Sequence, residues 1–298
     1  TLATKDKTLL VIAGPTAVGK TALSIELAKI LDTCILSADS RQFYKELKIG
    51  TATPSQKELS EVQHYFMGHL SIHDYYNVSM YENQALEILH EKFKHHDTVI
   101  ACGGSGLYID TLCHGIDNLP DPDPTLRKHL NSLYLQGDIN ILLNQLKELD
   151  PEYYLIVDKN NPKRIMRALE VCLQTNQTYT SMRKSQEKLR DFHMLKYCLT
   201  LPREILYQRI NERTDQMMVS GLLEEAKALY DYRHLNALNT VGYKELFDFF
   251  DGKYSLDESI EKIKTHTRRY AKRQITWFKR DESYQAISPQ ELREKYLS

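Results

Sequence analysis

Residues 14–21 read G-P-T-A-V-G-K-T, a G-x-x-x-x-G-K-T pattern. Gly14, Pro15, Thr16, Ala17, Val18, Gly19, Lys20 and Thr21 together make a glycine-rich turn. Such a turn gathers backbone N–H groups into a nest at the positive end of a helix. Lys20 adds a point charge for phosphate oxygens, and the Thr21 hydroxyl is placed to ligate Mg²⁺. The chain is therefore expected to bind a phosphate or pyrophosphate. Asp39, inside S-A-D-S-R-Q at residues 37–42, is the nearest candidate for proton chemistry. A carboxylate there can accept a proton from a nucleophile or assist Mg²⁺ through water. It can equally cap the turn that follows, and both roles stay open at this point. Arg213, in R-I-N-E-R at residues 209–213, could neutralise a departing phosphate or pair at the surface with Glu212 or Asp215. The histidines show no spacing expected of metal ligands.

These residues need a frame. The apolar run at residues 8–13 predicts a buried strand, and residues 20–31 carry Leu23, Leu27, Ile30 and Leu31 at helical spacing. Residues 33–37 and 98–102 predict further strands, with a helix over 80–93 between them. Strands alternating with helices imply a parallel sheet with ligands at the strands' carboxyl ends. The strand at 98–102 runs into G-G-S-G at 103–106, where a nucleotide hydrolase would place an acidic residue. Asp110 comes too late, in the next helix, so nucleotide hydrolysis is disfavoured.

A proline-rich break at residues 119–124 opens a strand-poor, helical stretch, and residues 195–201 return as one more strand of the sheet. From residue 203 the chain is expected to be almost wholly helical, over 204–219, 222–232, 243–250 and 256–279. The expected architecture is α/β: a P-loop NTPase-like parallel sheet core with an inserted helical domain and a helical C-terminal region. Its divisions fall at residues 1–120, 121–190 and 191–298.

The chain has 298 residues, 42% hydrophobic and 27% charged, which suits a soluble globular protein. The polar start and short first apolar run predict neither signal peptide nor membrane span. Five cysteines without C-x-x-C spacing point to free thiols in a reducing cytoplasm. A monomer is expected. The net charge of −1 confines any nucleic-acid surface to local patches. Two patches qualify: K-R-I-M-R at residues 163–167 and the cation- and aromatic-rich segment at 267–280. Each is either a solvated helix face or a surface for a phosphate backbone.

The ordered set of motifs resembles the tRNA dimethylallyltransferases, the bacterial tRNA isopentenyltransferase family. Besides the segments above, the set includes I-G-T-A-T-P at 49–54, G-G-S-G-L-Y at 103–108, L-P-D-P-D-P at 119–124 and K-R-I-M-R-A-L-E at 163–170. R-I-N-E-R-T-D-Q-M-M at 209–218, T-V-G-Y-K-E at 240–245 and Y-A-K-R-Q-I-T-W-F at 270–278 complete it. The resemblance implies transfer of a dimethylallyl group from dimethylallyl diphosphate to N6 of an adenosine next to the anticodon, position 37 of tRNA, with release of diphosphate. Under it Asp39 is the general base, while Lys20, Thr21 with Mg²⁺, the loop N–H groups and Arg213 stabilise the leaving group. Ser105 matches a position, usually Thr, that contacts the target nucleotide. Asp39, Ser40, Arg41, Gln42, Arg127, Lys163, Arg164, Ile165, Met166 and Arg167 match tRNA-contacting positions, so the anticodon stem-loop is the implied partner. Eukaryotic relatives often append a zinc finger, and the cysteine spacing here favours the bacterial type.

Three rivals share parts of this pattern. A small-molecule or nucleotide kinase would use the same loop to bind ATP but would need no long basic helical tail. An adenylate isopentenyltransferase acting on free nucleotides would have no use for the extended basic surface. A non-catalytic RNA-binding module would not require Asp39 beside the turn.

Overall fold

The computed structural model describes residues 7–137, 139–183 and 188–297, so the polar start up to residue 6 lies outside the described residues. Strand β1 (Thr8–Ala13) leads through the glycine-rich turn into α1 (Lys20–Ile30). There follow β2 (Ile35–Ser37), α2 (Gln56–Glu61), β3 (His64–Tyr65), α3 (Val78–Lys92), β4 (Thr98–Gly103) and α4 (Gly106–His114). Five helices come next: α5 (Pro124–Gly137), α6 (Ile139–Leu149), α7 (Pro151–Ile156), α8 (Pro162–Thr175) and α9 (Tyr179–Met182). The chain then gives β5 (His193–Leu199), α10 (Arg203–Val219), α11 (Leu222–Leu229), α12 (Tyr243–Phe250), α13 (Leu256–Phe278), β6 (Gln285–Ile287) and α14 (Pro289–Leu297).

The strands form one sheet in the order β3-β2-β4-β1-β5-β6, and each pairing is parallel. β1 is central because it is apolar on both faces: Leu9, Leu10, Val11 and Ile12 are all 0% exposed. Leu9 and Val11 feed one core and Leu10 and Ile12 the other, as the two-residue period of a strand requires. Each such side chain contributes about 1.5–3 kcal/mol by leaving water. The register aligns Ala13 with Gly103 on one side and Cys198 on the other, and Ser37 with Cys102. The loops that follow β1, β2, β4 and β5 therefore emerge at one sheet edge.

Two strands depart from expectation, as does the short helix α2. β3 and β6 flank the sheet, and β6 interrupts the region expected to be almost wholly helical. Both are too short to show an alternating pattern and are half-buried or exposed, so they gain their strand character from pairing with β2 and β5.

The chain divides into two compact units, one made of residues 1–113 and 190–298, the other of His114–Leu189. The second unit thus begins at His114, before the prolines expected to open it. Its core gathers Leu130 of α5, Leu142 and Leu146 of α6, and Ile165 and Leu169 of α8. α8 starts cleanly: the Asn161 side chain accepts from Arg164 N, and Pro162 occupies the first turn, where no N–H is needed. Buried Asp150 ties the α7 start to α9 by accepting from Tyr153 N at 2.9 Å and Thr180 N at 2.7 Å.

Candidate active site

The glycine-rich turn is held open by backbone that few residues adopt. Gly14 has φ 146°, and a Cβ there would lie 2.8 Å from the Leu199 carbonyl of β5. Gly19, at φ 105°, precedes α1 without any side-chain cap, leaving the first N–H groups of the helix available to an anion. Lys20 Nζ donates to the carbonyls of Gly14 (3.1 Å) and Pro15 (2.7 Å). Burial lowers its pKa, and nearby Cys102 and Asp39 oppose that fall while Arg213 adds to it. Arg213 reaches in from α10 and donates to Thr16 Oγ1 at 3.3 Å. Its guanidinium is also pushed down by burial, against the pull of Asp39. Two cations and one carboxylate thus share a crowded space.

Asp39 follows β2. Its Oδ1 accepts from Arg41 N at 3.1 Å, so the turn-capping role is real. The other oxygen, Oδ2, has no hydrogen-bond partner among the described residues, which leaves it able to take a proton. The backbone around it is clamped to the loop after β4. Ser105 N donates to the Ala38 carbonyl at 3.1 Å, and Ser40 N donates to Ser105 Oγ at 3.0 Å. Arg41 donates to the carbonyls of Asn236 (2.9 Å) and Ala237 (3.1 Å), and buried Gln42 donates to those of Thr51 and Ala52. Both side chains are engaged in holding loops.

Lys20, Thr21, Asp39 and Arg213 line one cavity of about 580 Å³. Met217, Leu222, Val241 and Ile263 give it an apolar wall. A polar, cationic end and an apolar wall suit an amphiphile that carries phosphate. Thr21 Oγ1 has no hydrogen-bond partner among the described residues, and no cluster of three or more His, Cys, Asp or Glu there could hold a metal. A hard cation here would take one hydroxyl from the chain and the rest of its oxygens from phosphate and water, which is how Mg²⁺ is commonly held. The residues present fit that arrangement.

Sequence reasoning missed several residues of this site. Tyr270 and Gln274 of α13 line the cavity, although their segment was singled out for its cations and aromatics and as a motif, with no role given to either residue. Burial foremost, then the nearby Asp39 charge, pushes the Tyr270 phenol up, and neighbouring Ser105 opposes that rise. Glu225 of α11 accepts from Ile49 N (3.0 Å), Gly50 N (3.0 Å) and the Tyr243 hydroxyl (2.6 Å). That carboxylate fixes the I-G-T-A-T-P loop, and Gly50 is required there because a Cβ would lie 2.6 Å from the Tyr243 ring. No one-dimensional spacing links these partners.

In the helical unit the basic residues separate into two groups. Lys163 and Arg164 are exposed in the first turn of α8. Arg127 of α5 forms a forked ion pair with Glu170, which is 0% exposed, and Arg167 pairs with the same carboxylate while donating to the Pro120 carbonyl at 2.7 Å. Ile165 is 0% exposed in the unit's core, and Met166 packs partly buried against it. The Ile165 side chain is thus a core residue, which the helix turns away from solvent.

The IPP transferase family model matches residues 42–281. tRNA dimethylallyltransferase 1 of Bacteroides fragilis is 51% identical over 288 residues, covering 97% of this chain and 96% of that protein. The crystal structure of the full-length tRNA isopentenylpyrophosphate transferase from Bacillus halodurans matches with a TM-score of 0.71 at 33% identity, over 98% of this chain and 95% of the other. A eukaryotic dimethylallyltransferase acting on tRNA gives a TM-score of 0.78 at 26% identity, covering 95% of this chain and 74% of its own.

Proposed function

The chain belongs to the IPP transferase family and is an enzyme that prenylates tRNA, and from that premise we propose how its site does so. The donor is dimethylallyl diphosphate, and the acceptor is N6 of an adenosine next to the anticodon, position 37. The observation that carries this reading is the placing of Asp39, Lys20 and Arg213 around one cavity with an apolar wall.

The adenine amine is a weak nucleophile because its lone pair is delocalised into the ring. As N6 bonds to the allylic carbon, the carbon–oxygen bond breaks and the oxygen leaves as diphosphate. The N6 proton passes to Asp39. Lys20, Arg213 and the N–H groups at the start of α1 balance the charge that develops on the leaving oxygens. Thr21 would hold Mg²⁺ against the same diphosphate, and a bound cation there adds charge neutralisation. The apolar wall of Met217, Leu222, Val241 and Ile263 suits the five-carbon group and keeps water from its allylic carbon. Ser105, clamped to Ser40, stands beside the acceptor's approach.

Lys163 and Arg164 support the choice of RNA as partner. Cations in the first turn of a helix oppose its dipole, at a cost of about 0.3–1 kcal/mol each. A phosphate backbone offsets that cost, and neither residue has an acidic partner among the described residues. The target base must leave its stack to reach a partly buried carboxylate, and such backbone contacts offset the unstacking. The five free cysteines fit a reducing compartment, and we read the enzyme as cytoplasmic and monomeric.

The test is incubation with unmodified tRNA, Mg²⁺ and labelled dimethylallyl diphosphate, with ATP offered as the competing donor. Label should enter tRNA as a prenylated adenosine, with one diphosphate released per transfer. Phosphoryl transfer from ATP to an acceptor, with no label in tRNA, would overturn the reading.

A further inference from the structure

Gln274 of α13 has both ends of its amide committed. Oε1 accepts from Thr16 N in the phosphate-binding turn at 2.8 Å, and Nε2 donates to the Gly104 carbonyl after β4 at 2.9 Å. The side chain is 5% exposed. The segment after β4 is shaped to receive α13. A Cβ on Gly104 would lie 2.3 Å from Nε2, and one on Gly106 would lie 2.2 Å from the Trp277 ring, one helical turn further along α13. Trp277 Nε1 in turn donates to Asp110 Oδ2 at 2.8 Å, bracing the helix against α4. A glutamine so placed costs several kinds of freedom at once: a buried amide needs partners at each end, and two glycines must stay bare.

The two loops that Gln274 joins serve opposite halves of the reaction. On the donor side, Thr16 also receives the guanidinium of Arg213. On the acceptor side, Gly104 leads into Ser105, which clamps Ala38 and Ser40 on either side of Asp39. We propose that Gln274 is a positioning residue that fixes the diphosphate cradle and the Asp39–Ser105 loop in one register, so that departure of diphosphate and attack by the amine occur in line. The inference rests on the roles given above to Asp39 and the cradle. Registration matters because a displacement of about 1 Å in a reacting pair costs about 10²-fold in rate. When the register is loosened, the donor still binds and water competes for the allylic carbon. Water then adds its oxygen to that carbon, the carbon–oxygen bond to diphosphate breaks, and the products are dimethylallyl alcohol, diphosphate and a proton.

The experiment compares wild type, Gln274→Met and Gly104→Ala. Methionine keeps length and apolar packing but neither hydrogen bond, while the alanine methyl displaces the amide from its place. Prenylated tRNA and dimethylallyl alcohol are measured together, with kcat and both KM values, and folding is checked by thermal melting. Wild-type prenylation alone tests the parent reading, independently of either variant. For the proposal, kcat for tRNA prenylation should fall by about 10²-fold in each folded variant. KM for donor and for tRNA should stay within about threefold, and the ratio of alcohol to prenylated tRNA should rise. A folded variant of either kind with wild-type kcat and an unchanged product ratio overturns it, as does a loss confined to KM.

Discussion

Charged and polar side chains do different work in the two units. Around the cavity of the α/β unit, three of them reach to backbone in distant loops: Arg41 to the carbonyls of Asn236 and Ala237, Glu225 to the N–H groups of Ile49 and Gly50, and Gln274 to one of each kind. In the helical unit Arg127 and Arg167 share a single buried carboxylate, Glu170, and Lys163 and Arg164 are left on the surface. Backbone partners fix a loop whatever its side chains are, so the first unit can hold a reactive geometry in irregular segments. A shared carboxylate fixes helix against helix and frees the remaining cations for a partner. The contrast teaches that a cluster of positive charge in a sequence is divided between folding and binding, and only the folded neighbours of each residue tell which does which.

The strongest blow to this contrast falls on the reactive geometry. Asp39→Ala should lower prenyl transfer by about 10²–10⁴-fold while sparing tRNA affinity, as loss of a general base does. Wild-type turnover in that variant would reduce Asp39 to a turn cap. Lys20→Ala should lower kcat/KM for the donor by about 10²–10³-fold, in line with removal of a charge that stabilises a leaving group. The same lysine gives a pH signature. Burial lowers its pKa below the ordinary 10.5, so the charged form is lost earlier than in a free lysine as pH rises. The kcat/KM profile reports the free enzyme, and its alkaline limb should therefore begin below 10.5 and vanish in Lys20→Ala. A limb that persists in the variant assigns the titration elsewhere.

Within the helical unit, Glu170→Ala removes the partner of both arginines. Arg127 is 46% exposed and can return to water, so the cost is moderated to about 1–3 kcal/mol of stability. Denaturant melts read it, and an unchanged midpoint would mean that α5 and α8 need no ion pair. The smallest effect sharpens the other half of the comparison. Neutralising Lys163 and Arg164 should leave the melt unchanged and reduce the slope of log affinity against log salt by about 0.7–0.9 for each phosphate no longer neutralised. An unaltered slope would place both side chains on an idle helix face.

Much of the frame was legible because it is written locally. The apolar runs of β1, β4 and β5, the glycines around residues 14–21 and the helical spacing of α1 and α3 each signal within a short window. The short strands β3 and β6 carry no such signal, since pairing with a neighbour defines them. α2 does carry one that hydrophobic periodicity alone misses: Ser55 and Glu58 form a capping box, a pattern visible as S-x-x-E. At the site, Lys20, Thr21, Asp39 and Arg213 were singled out by type and spacing, and they line one cavity. Gln274 and Glu225 were not, because a polar residue on a polar helix looks solvated until its partners, far away in sequence, fold over it. The Arg127–Glu170 pair was hidden for the same reason, and the inward face of Ile165 was masked by the basic run around it.

The position of β5 has a consequence for synthesis. β1 lies between β4 and β5, yet β5 is translated only after the whole helical unit has been made. At roughly 5–20 residues per second, the nascent chain spends several seconds with one edge of its most apolar strand unpaired. Helices that close upon themselves can fold in that interval, whereas the open edge invites pairing with another chain. Ribosome-bound chaperones should therefore bind this polypeptide most strongly in the interval between the emergence of β4 and that of β5.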